Sequence, residues 1–339
     1  MSKPRKHHYI QAAHLEGFVE DSKSLFLYSK DGLSFWAGIS DAFSERDLYS
    51  FGLNGDLAPE FEVEFNGKVE SHLFPSLRAT NAAKEILPSH LPNLVEYIAF
   101  SHIRSPTFRD LIIEYLRLKV KSQIKIMDNS GDLPKPPPEI DSSISELINE
   151  GQISIEICNS KFLEFMCNEV NNFFNILYRK FNWQLVVSDR HQFIIGDQPV
   201  TIIHPGRDYR GYGIPPGGDG CEVAFPLSSE CCMLGTWGKH YGNICDRGSV
   251  DELNKRQALF ARRFVATGIE SKGVERLVRR YKNWAYASMV DNIEHDDGGL
   301  QLLRLGIYPR LTSKYKKTPK NPTVLSSSAI PKALRKKRQ

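Results

Sequence analysis

The stretch from Asn182 to Ile203 constrains the fold of this 339-residue chain more than any other segment. Two apolar runs rich in β-branched and aromatic residues, Trp183–Val187 and Phe193–Ile195, flank a polar turn, as in a β-hairpin. A third run follows Pro199, which cannot donate to a β-ladder, so the chain must bend there. Asp197 is therefore predicted to lie on a sharp turn between two buried strands, a position that suits a reactive carboxylate.

Further short strands are predicted near the N-terminus and after residue 220. Ser24–Tyr28 and Leu33–Trp36 flank a glycine-containing turn, as expected of a hairpin. Cys221–Leu227 and Cys231–Trp237 form a second pair around a polar segment. We therefore expect a mainly antiparallel sheet built from the N-terminal strands and from the strands between Trp183 and Trp237.

Helical periodicity covers the middle and the end of the chain. Apolar residues recur every three or four positions between Phe162 and Phe181, which predicts an amphipathic helix. The segment Leu94–Lys121 is also helical in pattern, with a break at Ser105-Pro106 because proline disfavours a helical residue before it. Two more helices are expected, Val250–Ala266 and Val274–Met289. Long helical segments between the strand groups disfavour an alternating βαβ order, so the predicted class is α+β, with a helical layer packed on the sheet.

The connection between the helical segments Leu94–Lys121 and Phe162–Phe181 is rich in proline. Asp128–Glu139 is predicted to be an exposed, extended loop, because its prolines exclude helix and central strand. Ser143 and Glu146 then have the spacing of a capping box, which predicts a short helix beginning there.

Charge divides the chain into a body and a tail. Residues 311–339 hold nine lysines and arginines and no acid, leaving 35 basic against 40 acidic residues in residues 1–310. We expect one α+β domain over 1–310 and a disordered basic tail over 311–339, because the tail has too few apolar residues to fold alone. The tail is suited to bind nucleic acid or another acidic partner, or serves only as a solubilising extension.

Composition also limits the class of protein. No apolar run is long enough to cross a bilayer and no secretory signal precedes the first strand, so we predict a cytoplasmic protein without membrane contact. The six cysteines show no C-x-x-C spacing, which favours reduced thiols over a zinc site.

Asp197, Glu64 and Glu70 are candidate acidic site residues, each with a structural alternative. Asp197 either caps its own turn by accepting amide hydrogen bonds, or acts as a metal ligand or general base. Glu64 and Glu70 lie about 240° apart around a regular helix, so they share a site only if Glu64 precedes the helix. Otherwise they are solvated helix charges.

Three further candidates are a histidine, an arginine and a tryptophan. His8 is either a packed polar residue, a metal ligand or a base. Arg104 suits a carboxylate or phosphate, although a structural ion pair with Glu70 or Asp197 fits equally well. Trp183 is either a core residue or a platform for a ligand.

Several of these segments also match family motifs. His8, Tyr9, Leu15 and Phe18 fit the signature His-Tyr-x-Pro-Gln-x-Tyr-Leu-x-x-Phe in register. Three residues of that opening depart from the signature, namely Gln11, Ala12 and His14. The later matches are Glu64 and Glu70 as a glutamate pair, Arg104-Ser105-Pro106, Trp183, Gly196-Asp197-Gln198-Pro199 and Phe225-Pro226-Leu227-Ser228, with Gly196 where serine is usual. In this order and spacing the chain resembles the domain-of-unknown-function 4238 family, from about residue 7 to about residue 270.

Two functional hypotheses follow, since the family resemblance implies no activity. The first is a metal-dependent hydrolase or nuclease-like phosphodiesterase that uses Mg²⁺ or Mn²⁺. Its candidate residues are Asp197, His8 and Glu70 for catalysis, Asp197, Glu64 and Glu70 for the metal, and Arg104, Tyr9 and Trp183 for the substrate. The second is a non-catalytic interaction or sensor module whose polar residues form a structural network. The first hypothesis expects Asp197, His8 and Arg104 to meet at one concave surface.

Overall fold

The computed structural model describes residues 6–19, 23–46, 67, 69–134, 142–204, 218–237, 247–293 and 300–309. The strands within these ranges are β1 (Lys6–His8), β2 (Ser24–Ser29), β3 (Ser34–Gly38), β4 (Ser44–Arg46), β5 (Phe181–Val187), β6 (Ile195–Gly196), β7 (Thr201–Ile203), β8 (Glu222–Pro226), β9 (Cys231–Trp237), β10 (Phe264–Thr267), β11 (Trp284–Ile293) and β12 (Leu300–Pro309). The basic tail, residues 311–339, lies outside the described residues.

The helices of the described residues are α1 (Ala12–Leu15), α2 (Phe74–Ala83), α3 (Leu91–Ile103), α4 (Pro106–Ser130), α5 (Ile144–Asn149), α6 (Asn159–Lys180), α7 (Arg247–Phe260) and α8 (Lys272–Arg280). A 3₁₀ turn, Glu16–Phe18, follows α1, and a π-helical turn, Val69–Leu73, precedes α2. None of these helices is both long enough and apolar enough to cross a membrane.

The strands form two four-stranded antiparallel sheets and two ribbons. The first sheet has the order β3-β2-β10-β6, and the second has the order β5-β9-β8-β7. The ribbons pair β1 with β4 and β11 with β12, again antiparallel. The predicted α+β class is confirmed, but the strands expected in one sheet are divided between two.

The hairpin expected within Asn182–Ile203 does not form. β5 pairs with β9, β6 pairs with β10, and β7 pairs with β8, so the three apolar runs of this stretch have three different partners. Asp197 and Pro199 therefore lie where the chain leaves one sheet and enters the other. The alternation of side chains shows that a run is a strand but not which strand it pairs with, because ladder hydrogen bonds are the same for any partner.

Two predicted helices end earlier than their apolar patterns indicate. α7 ends at Phe260, and the aromatic and β-branched run Phe264–Thr267 becomes β10, a central strand between β2 and β6. α8 ends at Arg280, and β11 then pairs with β12 over ten residue pairs. In both places cross-strand pairing with a distant segment outweighs local helical periodicity.

The other helix predictions are confirmed in kind, although α3 begins at Leu91, α6 begins at Asn159, and α4 runs to Ser130, into the predicted loop Asp128–Glu139. The break at Ser105 separates α3 from α4, and the Ser105 Oγ caps α4 by accepting the Phe108 N–H at 3.2 Å. Ser143 and Glu146 form the predicted capping box of α5. The apolar stripe of α6 is buried, since Phe162, Met166, Val170, Phe173 and Leu177 all belong to the largest hydrophobic cluster.

That cluster joins the N-terminal segment to the second sheet through His14. The His14 ring is fully buried among the rings of Phe18, Tyr97 and Phe225, and its Nε2 lies 2.9 Å from the Pro226 carbonyl oxygen. Burial lowers the His14 pKa to about 4, so the ring is neutral and Nε2–H donates. The opening signature and the Pro-Leu-Ser segment of the family therefore pack against each other in the core.

Candidate functional site

Asp197 is buried, with 5% of its surface exposed, and its carboxylate is enclosed by main-chain amides. Oδ1 accepts the N–H of Arg262 at 2.6 Å, and Oδ2 accepts the N–H groups of Arg263 at 2.6 Å and Phe264 at 2.9 Å. The Asp197 N–H in turn donates to the Phe264 carbonyl oxygen at 3.0 Å. The side chain thus ties the end of β6 to the start of β10, through a distant segment and not by the local capping of its own turn considered above.

Helix α7 holds the other side of the same turn through Gln257. Its Oε1 accepts the Gly196 N–H at 2.9 Å, and its Nε2 donates to the Pro199 carbonyl oxygen at 2.8 Å. A Cβ on Gly196 would lie only 3.1 Å from the Gln257 carbonyl oxygen. Glycine in place of the family's usual serine therefore fits a close approach of α7 to the turn.

The electrostatics of Asp197 are set mainly by its burial. Burial raises the pKa of the Asp197 carboxyl, while the three amide hydrogen bonds and the Lys30 ammonium act against that rise. Lys30 is itself buried, and its Nζ donates to the Leu259 carbonyl oxygen at 3.4 Å and to the Trp284 carbonyl oxygen. A buried cation near the last turn of α7 interacts favourably with that helix dipole.

A small recess opens beside the turn. Its volume is about 50 Å³, which is room for roughly four water-sized atoms. Four segments enclose it: the β1–β4 ribbon, the N-terminus of α4, the Asp197 turn and the start of β10. The lining residues are Tyr9, Ser44, Glu45, Pro106, Thr107, Asp197, Arg262, Arg263 and Phe264.

Two buried residues present open hydrogen-bonding groups to this recess. The Tyr9 and Thr107 side chains are exposed over only 7% and 5% of their surfaces, and neither hydroxyl bonds to a residue that the structure describes. Thr107 is also the second residue of α4, where the helix leaves main-chain N–H groups without helical acceptors. Burial and the nearby carboxylates of Asp197 and Glu45 raise the Tyr9 pKa well above its usual value, so the phenol remains a donor.

The charged residues of the recess differ in how they are paired. Arg262 lies 2.9 Å from the Asp110 carboxylate, with both side chains about half exposed. Arg263 makes no ion pair within the described part of the chain, and its guanidinium lies 4.9 Å from the centre of the Phe264 ring. Its charge is therefore available to a ligand.

His8, Arg104 and Trp183 are not among the residues that line the recess. The His8 Nε2 lies 3.0 Å from the Ser40 carbonyl oxygen. The next residue in the chain, Tyr9, does line the recess. Arg104 is buried, with its guanidinium 5.4 Å from the Phe100 ring centre. The Trp183 Nε1–H donates to the Leu177 carbonyl oxygen at 3.2 Å, and its ring covers Gly235 on the neighbouring strand.

The side chains of Glu64 and Glu70 lie outside the part of the chain that the structure describes. Glu64 lies outside the described residues, and Glu70 is in the π-helical turn with its side chain outside the description. Among the side chains that the structure does describe, no three His, Cys, Asp or Glu residues are grouped so as to hold a metal ion.

Sequence reasoning identified Tyr9 and Asp197 but missed several lining residues. Arg262 and Arg263 fall within the predicted helix Val250–Ala266, and Thr107 is not among the candidate site residues. Ser105-Pro106 is a helix-start signal, which directs attention to the amide of Thr107. No local signal links Ser44 and Glu45 to this recess, because a short edge ribbon brings them there.

The fold and the recess define an α+β protein in which a buried carboxylate turn supports one wall of a polar recess. The chain belongs to the family described as protein of unknown function (DUF4238), whose model matches residues 6–271. All the lining residues of the recess fall within that match. No curated protein and no solved structure matches the chain.

Proposed function

We propose that the chain is a binding or sensor module that holds a small oxyanion, such as the phosphate group of a ligand, in the recess. The supporting observation is that three family motifs meet there: Tyr9 from the opening signature, Pro106 from the Arg-Ser-Pro step and Asp197 from the late turn. These residues are far apart in sequence. A ligand bound in the recess would explain why three family motifs contribute to its lining.

The donors of the recess suit an oxyanion. Tyr9, Thr107 and Arg263 line the recess from three different segments, and each carries a hydrogen-bond donor that no described residue occupies. The N-terminus of the 25-residue helix α4 adds a favourable dipole for negative charge. The volume of about 50 Å³ admits a group the size of phosphate and leaves the rest of a ligand outside.

A metal-dependent hydrolase or nuclease-like phosphodiesterase is the second candidate. The raised pKa of the buried Asp197 carboxyl beside a recess favours it, because active sites commonly contain such groups. Here Mg²⁺ or Mn²⁺ would be bound by Asp197 with Glu64 and Glu70. The three amide hydrogen bonds weigh against this role, since they leave room for one further ligand interaction at most, at Oδ1. The binding proposal therefore ranks first.

Calorimetric titration with inorganic phosphate tests the first candidate. Wild type is expected to bind phosphate at low salt, and Arg263→Gln is expected to weaken that binding about tenfold through loss of a charge-assisted contact. Arg276→Gln is the matched control, because Arg276 is exposed on α8, away from the recess lining. Absence of phosphate binding by wild type, or equal binding by all three proteins, would overturn the proposal.

An activity screen separates the second candidate from the first. Single- and double-stranded DNA and RNA are incubated with wild type and Glu70→Gln in Mg²⁺ or Mn²⁺. Metal-dependent cleavage that is lost in a stably folded Glu70→Gln protein would establish the hydrolase. The binding proposal expects no cleavage by either protein.

The basic tail carries a separate proposal, namely that residues 311–339 bind nucleic acid through their nine positive charges. Such binding weakens steeply with salt, because neutralised phosphates release counterions. Deleting residues 311–339 is expected to abolish low-salt binding of DNA or RNA. Unchanged binding after the deletion would instead leave the tail as a solubilising extension.

A further inference from the structure

An exposed aromatic side chain lies directly beside the recess. Phe35, on the edge strand β3, keeps 45% of its surface exposed. Its ring centre lies 6.0 Å from that of Phe264, with the two planes nearly perpendicular. Phe264 lines the recess, so an aromatic surface begins at the mouth of the recess.

Arg263 and Glu45 add polar groups along the same path. The Arg263 guanidinium stacks near the Phe264 ring, at 4.9 Å from its centre, and both residues line the recess. Glu45 lines the recess too and makes no ion pair with a described side chain, so its carboxylate can accept hydrogen bonds from sugar hydroxyls. A cation and an acceptor thus line the recess, and an exposed ring packs against one of the other lining residues.

The neighbouring residue Trp36 does not share this surface. Consecutive side chains on a strand point to opposite faces of the sheet. Trp36 packs edge-on against Phe26 at 5.1 Å, and Phe26 belongs to a different hydrophobic cluster, with Val278 of α8. Trp36 is as exposed as Phe35, at 50%, but lies on the other face, which makes it a matched control.

We propose that the ligand of the recess is a nucleoside monophosphate group, with its phosphate in the recess and its base stacked on Phe35. This inference rests on the proposed oxyanion binding. Bases stack on exposed aromatic rings without needing sequence-specific hydrogen bonds. A pentose between phosphate and base places its hydroxyls at the mouth of the recess, where Glu45 is the acceptor.

The same chemical group occurs in a free nucleotide and at the phosphorylated end of a single strand. Titrations of wild type with inorganic phosphate, ribose 5-phosphate, AMP, adenosine and a 5′-phosphorylated dinucleotide distinguish these sources. AMP is expected to bind about tenfold more tightly than ribose 5-phosphate because of base stacking. The dinucleotide is expected to bind with the same affinity as AMP if the ligand is the phosphorylated end of a single strand. It is expected to bind more weakly than AMP if the ligand is a free nucleotide.

A comparison of Phe35→Ala with Trp36→Ala tests whether the base stacks on Phe35. Phe35→Ala is expected to reduce AMP affinity to that of ribose 5-phosphate while phosphate affinity is unchanged, and Trp36→Ala is expected to change neither. If Phe35→Ala does not fold, Phe35→Leu keeps an apolar side chain and removes the aromatic ring. If phosphate binds but AMP gains nothing over ribose 5-phosphate, the nucleotide inference is wrong and oxyanion binding stands. If none of the phosphates binds, both proposals are wrong.

Discussion

The Asp197 turn and the recess beside it use polar groups in opposite ways. In the turn, both Asp197 carboxylate oxygens and both polar atoms of the Gln257 amide are bonded to main chain. In the recess, the side chains of Tyr9 and Thr107 are buried over most of their surface, yet their hydroxyls bond to no described residue. Hydroxyls that line a recess and bond to no described residue are open to a ligand, whereas the polar atoms of the turn are already occupied.

This contrast assigns different roles to residues that border one another. The turn is a structural connection between the two sheets, and its residues should report on stability when changed. The recess residues should report on ligand binding and only slightly on stability. Three substitutions test that division, and a further prediction concerns a buried histidine outside both regions.

Asp197→Ala should have the largest effect on stability. The substitution leaves three amides that had donated to a buried carboxylate without acceptors, and we expect a loss of about 3–5 kcal/mol in the free energy of unfolding. Denaturant unfolding measures it. Asp189→Ala is the control, because Asp189 is exposed and paired with Lys84, so its effect on stability should be far smaller. A loss that small for Asp197→Ala would contradict its structural role.

The buried ring of His102 should make stability depend on pH. Burial lowers its pKa from 6.5 to about 3, so below pH 6.5 the unfolded chain binds a proton that the folded chain does not. The free energy of unfolding should therefore fall as pH decreases, by about 2 kcal/mol between pH 7 and pH 5 from this residue.

His102→Phe tests that contribution. The ring of His102 lies 4.7 Å from that of Phe173, in surroundings that accommodate another aromatic ring. In the variant, the free energy of unfolding should fall less between pH 7 and pH 5 than in wild type. Denaturant unfolding at several pH values measures the difference. His72→Gln is the control, since His72 is exposed and its removal should leave the dependence as it is.

Gln257→Ala should weaken the turn less than the loss of Asp197. The substitution removes one hydrogen bond to Gly196 and one to Pro199, and we expect a loss of about 2 kcal/mol by denaturant unfolding. Gln152→Ala is the matched control because Gln152 is exposed and bonds only to the Glu150 side chain through its amide. Equal stability of the two variants would show that α7 does not hold the turn.

Tyr9→Phe should have the smallest effect on stability and a clear effect on binding. The Tyr9 hydroxyl has no partner among the described residues, so the free energy of unfolding should change by less than about 0.5 kcal/mol. Phosphate affinity should fall about tenfold through loss of a donor. Large destabilisation with unchanged phosphate affinity would show that Tyr9 has a structural role, like the residues of the Asp197 turn, and no role in binding.

Elements whose signals are local could be predicted from the amino-acid sequence alone. The periodicity of α6, the helix start at Ser105 and the capping box at Ser143 depend on neighbours within one or two turns, and each was predicted correctly. The sharp bend before Pro199 and the family resemblance also directed attention to Asp197 and Tyr9 before any contact was known.

The pairing of the strands and the hydrogen-bonding role of the Asp197 carboxylate depend on contacts between distant segments, which only the tertiary structure shows. β10 could not be distinguished from a continuation of α7, because the partners that make it a strand, β2 and β6, lie far away in sequence. The Asp197 oxygens are likewise occupied by amides 65 to 67 positions further along the chain. The same sequence motif suits a reactive carboxylate or a structural one, and the choice depends on which donors the fold brings within hydrogen-bonding distance.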